Sequence, residues 1–242
     1  MLLKTNGIIF RAIKYAETSL IVDVYTREKG LKKYIISGVR TQKAKTDASL
    51  FQVMTQVDLV AYDRPDRDLH RIKEIRNAYV YQSLPYEVLK GALGMFMLEV
   101  ARKSIREQEA NQDLFDFLSG TFQFLDQTSA AISNLHLHFL LGLSSFLGFR
   151  PNREEKEEDQ AYFDLKEGVF QTEVPGHDYY LEADLSKILV QLLTTPRENV
   201  SKITIDKAQR QGLLEELLVY YRLHLEHFPE IHAHQILKVV LN

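Results

Sequence analysis

The spacing of hydrophobic and polar residues changes near residue 80. Before that point the period is two. Leu20, Val22 and Val24 alternate with Ile21, Asp23 and Tyr25. Phe51, Val53, Thr55, Val57 and Leu59 alternate with Gln52, Met54, Gln56 and Asp58. Such runs predict half-buried β-strands. A first strand is expected over 7–15 and a third over 31–37. A fifth is expected over 69–78, although Leu69, Ile72 and Ile75 there are spaced by three. Turn signals separate the runs: Glu28-Lys29-Gly30, Gly38 onward, and the stretch from Asp63 to Arg67. Short strands with no helical run between them predict a small antiparallel barrel, five-stranded and closed so that no edge is exposed.

Beyond Leu84 the apolar spacing becomes three and four. Leu89, Leu93, Phe96, Met97, Val100 and Ala101 predict an amphipathic helix over 86–107. Asn111 is placed to cap a second helix carrying Leu114, Phe115, Leu118, Phe122 and Leu125 on one stripe. A third, over 131–147, ends at Gly148 with Pro151 behind it. Further helices are expected over 185–193, 206–228 and 234–241. The acidic run from Glu154 to Asp159 reads as a solvated loop. Tyr162–Leu165 and Val169–Gln171, on either side of Lys166-Glu167-Gly168, read as a hairpin. The expected fold class is α+β: a barrel domain over 1–80, then an otherwise all-α domain over 81–242 with a small metal-free β-hairpin insertion at about 152–176.

Composition sharpens this picture in two ways. The 242 residues are 45% hydrophobic and 26% charged, ordinary for one or two globular domains. The net charge of −3 conceals a split: residues 1–80 hold 15 basic and 9 acidic side chains, and the remainder 15 and 24. A basic segment on an acidic remainder points to a polyanionic partner for the first part. Cysteine is absent, which excludes disulfides, a thiolate nucleophile and any Cys-ligated zinc or iron–sulfur centre. The first residues carry no export pattern, and the least polar stretch, Phe139–Phe149, is about half the ~20 residues of a membrane span. A soluble, cytoplasmic protein with no membrane contact is expected.

Enzyme motifs are missing. There is no G-x-x-x-x-G-K-[ST], no G-x-G-x-x-G and no G-x-S-x-G. Ser144 and Ser145 lie in an apolar helical stripe and read as packing residues. His136 and His138 are two apart on a helix and point to different faces. His224 and His227 share a face, and His232 and His234 follow a proline turn, but no carboxylate stands at H-E-x-x-H spacing. The histidines read as surface or cap residues. No metal and no cofactor are expected.

The positive signal is the basic barrel. Arg11, Lys14, Arg27, Lys32, Lys33, Arg71 and Lys73 fall on its strands and turns, with Arg64 and Arg67 in one turn. Arg40, Lys43 and Lys45 make an acid-free loop able to follow a phosphate backbone without reading bases. Phe10, Tyr15, Tyr25, Tyr34, Phe51 and Tyr62 are interleaved with these cations, half of them expected in the core and the rest, Tyr34 among them, available to stack on bases.

These residues resemble the RecO family of recombination mediators. Gly7-Ile8-Ile9, Tyr15-Ala16-Glu17, Leu20-Ile21-Val22 and Thr26-Arg27-Glu28-Lys29-Gly30 stand in the family's order. Ile36-Ser37-Gly38-Val39-Arg40 is similar to its lead into a basic loop. Leu147-Gly148-Phe149-Arg150-Pro151 is similar to its Gly-Phe-x-Pro helix end. Phe163-Asp164 and Gly168-Val169-Phe170 resemble its hairpin, and Tyr221-Arg222-Leu223-His224-Leu225 its late helix. The resemblance implies an OB-fold barrel and a helical domain. It implies binding of single- and double-stranded DNA, annealing of complementary strands, and work with RecR to load RecA onto strands coated by single-strand-binding protein. It implies contact with the acidic, hydrophobic-ended tail of that coating protein, and a place at the nucleoid. Many members carry a four-cysteine zinc module near 152–176. This chain has no Cys, so the zinc does not carry over.

The annealing that the resemblance implies follows from charge. A cationic barrel lowers the repulsion between two strands, and base pairing supplies the free energy without nucleotide hydrolysis. The acidic helical domain then suits proteins. Arg102, Lys103 and Arg106, beside Phe96 and Met97, are its candidate partner-binding cluster. Two other classes compete: a non-catalytic adaptor whose helical domain does the binding, and an enzyme whose site carries no recognisable motif.

Overall fold

A computed structural model describes residues 1–39, 46–64, 66–105, 109–152 and 161–241. Five strands come first: β1 (Leu2–Tyr15), β2 (Ser19–Thr26), β3 (Gly30–Ile36), β4 (Gln56–Tyr62) and β5 (Leu69–Asn77). Helices α1 (Val88–Ser104), α2 (Gln112–Gln127) and α3 (Leu135–Phe146) follow. Three short strands, β6 (Tyr162–Asp164), β7 (Val169–Gln171) and β8 (Tyr180–Leu181), precede α4 (Ala183–Thr194), α5 (Lys207–His224) and α6 (Ala233–Val240). The chain forms two compact units. One is Met1–Tyr86 with Ile105–Gln127, and the other is Glu87–Ser104 with Thr128–Asn242.

The first unit is a closed barrel in the order β1-β2-β3-β5-β4, with α2 against it. Four of its pairings are antiparallel, but β3 and β5 run parallel, with Tyr34 opposite His70. The barrel is therefore mixed rather than wholly antiparallel. Ile9, Val22, Val24, Tyr34, Val57, Leu59, Ala61 and Ile72 fill the interior. The spacing of three in β5 has a local cause. Glu74 pairs with Val60 and Ile72 with Ala61, so Lys73 is an extra, bulged residue. The bulge keeps Ile72 and Ile75 opposite Ala61 and Leu59, on the inward face.

The strand expected from Phe51 begins later. Ala48–Phe51 is a 3-10 turn, and Met54 takes a left-handed conformation (φ +71°). Met54 N–H donates to the Ile9 carbonyl at 2.8 Å and Ile9 N–H to the Thr55 carbonyl at 3.0 Å, so this segment is pinned to β1 before β4 starts. Gly7 sits where the barrel wall is tightest. A Cβ there would lie 2.5 Å from Val24 Cγ1 and 3.3 Å from Leu59 Cδ2. Gly7→Ala should destabilise the protein by about 1–3 kcal/mol, read as a lower urea midpoint with an unchanged slope.

Helix α2 is fastened to the barrel by polar and aromatic contacts. Gln56 Oε1 accepts from Ser119 Oγ (2.8 Å) and Gln123 Nε2 (2.7 Å). Phe10 stacks on Tyr25, which stacks on Phe115. Asn111 caps the helix as expected, accepting from Leu114 N–H at 2.9 Å. At the far end the buried Asp126 carboxylate accepts from the N–H groups of Gln82 (3.0 Å), Ser83 (2.8 Å) and Leu84 (2.8 Å) and from the Tyr79 hydroxyl (2.9 Å).

In the second unit α3 is central. It is buried on nearly every side, from Leu135 through Ser144. Helix α5 starts in a reciprocal cap between Asp206 and Gln209. It ends at His224 rather than running to 228. Leu225 is extended and Pro229 disfavours helix at the residue before it. Tyr220 and Tyr221 hydroxyls donate to the Phe149 and Leu140 carbonyls at 2.6 and 2.7 Å. Burial pushes both phenols up.

The expected hairpin forms as β6–β7, and β8 adds a third strand on the other edge of β6. Its core is Phe163, Leu165 and Phe170. Asp164 accepts from the N–H groups of Lys166 and Glu167 at 2.7 and 3.0 Å and faces His177 Nε2 at 3.2 Å. Gly168 (φ +71°) lies under Tyr220, whose hydroxyl would meet a Cβ at 2.8 Å. The acidic run from Glu154 to Asp159 lies outside the described residues.

Candidate nucleic-acid interface

The turn between β4 and β5 and the start of β5 carry a group of cations: Arg64, Arg67, Arg71 and Lys73. A cavity of about 650 Å³ opens there, lined by Tyr62, Arg64, Arg67, Leu69, Arg71 and Lys73. The turn is fixed from beneath. Asp63 exchanges backbone hydrogen bonds with Met1, its N–H donating to the Met1 carbonyl and its carbonyl accepting from the terminal ammonium. Its carboxylate faces buried His70 at 3.5 Å and Lys29 at 3.8 Å. Arg64 N–H lies 3.4 Å from His70 Nδ1. The arginine side chains thus stand on a fixed base and remain exposed.

The expected contact residues divide into four groups. Arg11, Lys14, Lys33, Arg71 and Lys73 are exposed on the barrel wall, and Lys32 is half-buried. Lys73, the bulged residue, also pairs with Glu74 at 3.1 Å. Arg27 is engaged: its guanidinium makes a two-pronged pair with Asp116 on α2 at 3.0 and 2.9 Å. That pair raises the Arg27 pKa and holds the Asp116 carboxyl below its ordinary range. Arg40, Lys43 and Lys45 lie outside the described residues. Tyr34 needs correcting. It is 1% exposed, faces the barrel interior beside His70, and has no free ring face for a base. Burial, with the Asp63 charge adding, pushes its phenol up. Phe10, Tyr25 and Phe51 are also buried, and Tyr15 and Tyr62 are exposed.

Arg64 and Arg67 were legible as turn cations of the basic barrel, but not as the lining of one cavity with Arg71 and Lys73. The signal for Tyr62 was the alternation itself: Leu59 and Ala61 face inward, which turns Val60 and Tyr62 outward.

The partner cluster on α1 changes more. Phe96 and Met97 are fully buried. Lys103 Nζ donates to Glu99 at 2.6 Å and to the Glu230 carbonyl. Glu99 in turn accepts from the N–H groups of His232 and Ala233 at the start of α6. Burial raises the Glu99 pKa, but these donors outweigh it and the net shift is downward. Lys103 is therefore part of the α1–α6 joint. Arg106 lies outside the described residues, and Arg102 stays half-buried on the last turn of α1. A narrow crevice of about 20 Å³ lies elsewhere in this unit. Leu214, Leu237 and Leu241 form its walls, and Lys207, Arg210 and Lys238 stand around it.

His136 opens onto the same crevice and is fully buried rather than at the surface or a cap. Burial, with the nearby Arg210 charge adding, pushes it down to about 3. His224 meets the Leu165 carbonyl and stacks on Phe149. Among the described residues no three His, Cys, Asp or Glu side chains are grouped to hold a metal. No helix of the described residues is long and apolar enough to cross a membrane.

A closed five-stranded barrel followed by a helical unit defines a protein with an OB-type barrel. The comparisons with known proteins agree. The family model for the N-terminal part of recombination protein O matches residues 1–81, and that for its C-terminal part matches 86–230. A DNA repair protein RecO from Christiangramia forsetii is 40% identical over 229 residues, covering 94% of each chain. Those from Phocaeicola vulgatus and Azobacteroides pseudotrichonymphae are 34% and 31% identical over 98% and 100% of both chains. The chain belongs to the RecO family of DNA repair proteins.

Proposed function

We infer that this protein is a recombination mediator without catalytic turnover. It binds single- and double-stranded DNA on the barrel, anneals complementary strands and, with RecR, helps load RecA onto strands coated by single-strand-binding protein. The observation that carries this reading is the concentration of Arg64, Arg67, Arg71 and Lys73 around one cavity of the barrel. Cations placed there screen phosphate charge on two strands at once, while base pairing drives the joining. Arg11, Lys14, Lys32 and Lys33 extend the surface, and the basic residues Arg40, Lys43 and Lys45 are assigned to DNA contact from their sequence. Family membership supports a role in DNA repair in the cytoplasm, at the nucleoid.

The acidic tail of single-strand-binding protein is assigned to the helical unit. The apolar Leu214, Leu237 and Leu241 beside exposed Lys207 and beside Lys238, which would exchange Glu215 for the tail, support this, because an acidic peptide with an apolar end needs both features. Two fluorescently paired complementary oligonucleotides test the mediator reading. The protein should raise their annealing rate severalfold at low salt without any nucleotide. Unchanged annealing beside normal binding of the coating protein's tail would favour the adaptor instead.

A further inference from the structure

The outer wall of the barrel carries an uncovered apolar row next to the cations. The register places Leu2 opposite Tyr62, Tyr62 opposite Arg71, and Arg71 opposite Ile35. Ile35 pairs with Ile21, which pairs with Ile13. Side chains directly opposite one another lie on the same face, about 4.5–5.5 Å apart at Cβ. Leu2 is 50%, Tyr62 43% and Ile13 39% exposed. Leu69, opposite Lys33, is exposed beside them. Among the described residues nothing hydrogen-bonds the Tyr62 hydroxyl or stacks on its ring. The ring thus stands in water between an apolar neighbour and an arginine, at the rim of a cavity whose size falls within the ~300–1,000 Å³ of small-ligand sites.

The geometry points to a seat for one unpaired nucleotide at this place, its base on Tyr62 and its phosphates on Arg64, Arg67 and Arg71, which makes Tyr62 the residue that distinguishes single strands from duplex. The inference rests on the barrel being the DNA-binding surface. Phosphates are offered by both forms of DNA, so the arginines cannot tell them apart. Base faces are available only outside the stacked duplex, so an aromatic platform can. The Lys73 bulge turns the start of β5 relative to its end, which sets Arg71 and Lys73 around the cavity while Ile72 stays inside.

The test uses the full chain with a labelled oligo-dT and a duplex of equal length at one low salt concentration. Tyr62→Ala should weaken oligo-dT binding by about tenfold, the scale of one base–aromatic contact. Duplex affinity should change less than twofold, and Tyr62→Phe should bind like the parent. A strand containing 2-aminopurine should be quenched by the parent and not by Tyr62→Ala. Tyr62→Ala should keep a cooperative melt, and Tyr62→Phe the parent melting temperature, which separates this result from misfolding. Equal losses on both DNAs, or no loss on oligo-dT, would overturn the nucleotide seat while leaving DNA binding intact. If the parent binds neither DNA, the underlying assignment of the barrel falls, and the seat with it.

Discussion

Asp126→Ala should cost the protein about 3 kcal/mol of stability. The carboxylate holds the N–H groups of Gln82, Ser83 and Leu84 and the Tyr79 hydroxyl, all from the segment that leaves the barrel. Alanine would leave these donors without a partner, and Leu84 is almost wholly buried. A carboxylate at the C-terminal end of a helix also opposes the helix dipole, so its donors, the Ser83 hydroxyl at 3.4 Å among them, explain its position. Burial raises the Asp126 pKa, the donors outweigh it, and the net shift is downward. A depressed folded pKa means the contribution is complete above the unfolded value of about 3.9 and is lost as pH falls through the folded one. The stability gap between parent and Asp126→Ala should therefore be constant near neutrality and close below about pH 4. Urea titrations across pH measure it. A neutral-pH loss under about 1 kcal/mol would show that the donors find other partners.

The second large effect is on binding. Arg64, Arg67 and Arg71 changed together to Ala should lower single-strand affinity by about a hundredfold at low salt and flatten its salt slope by about 2, at roughly 0.7 for each phosphate no longer neutralised. Folding should be spared. Arg64 anchors the turn through its backbone N–H, which alanine keeps, and the side chains are exposed. Equal melting temperatures with unequal affinities would support this. Loss of fold without loss of affinity would place the DNA elsewhere on the barrel.

Much of this was readable in the sequence because a period of two encodes a face. Leu20, Val22 and Val24 lie inside as the alternation required, and the hairpin at 162–171 forms where Gly168 allows a left-handed turn. What failed has physical causes. Alternation continued through Gln52–Thr55, but Met54 takes a turn conformation held by β1 some forty positions earlier. The spacing of three in β5 came from a bulge, visible only against its partner strand. The stripe on α2 showed that the helix buries a face but not that Gln56, Tyr25 and Asp116 tie it to the barrel. Tyr34 and Tyr62 are both tyrosines beside cations. Their opposite fates follow from parity in their strands, Tyr34 in line with Ile36 and Tyr62 out of line with Ala61.

The low overall charge also misled, since −3 describes neither part of the chain. The basic barrel is the central claim, and salt tests it most directly. Affinity for a single-stranded oligonucleotide should be measured for the full chain across a range of salt. If the barrel neutralises several phosphates, log K falls linearly with log salt, by about 0.7 for each one. A slope of about −2 to −4, with at least half of it removed by the triple arginine change, is the predicted result. A flat line, or no binding at low salt, would contradict the account.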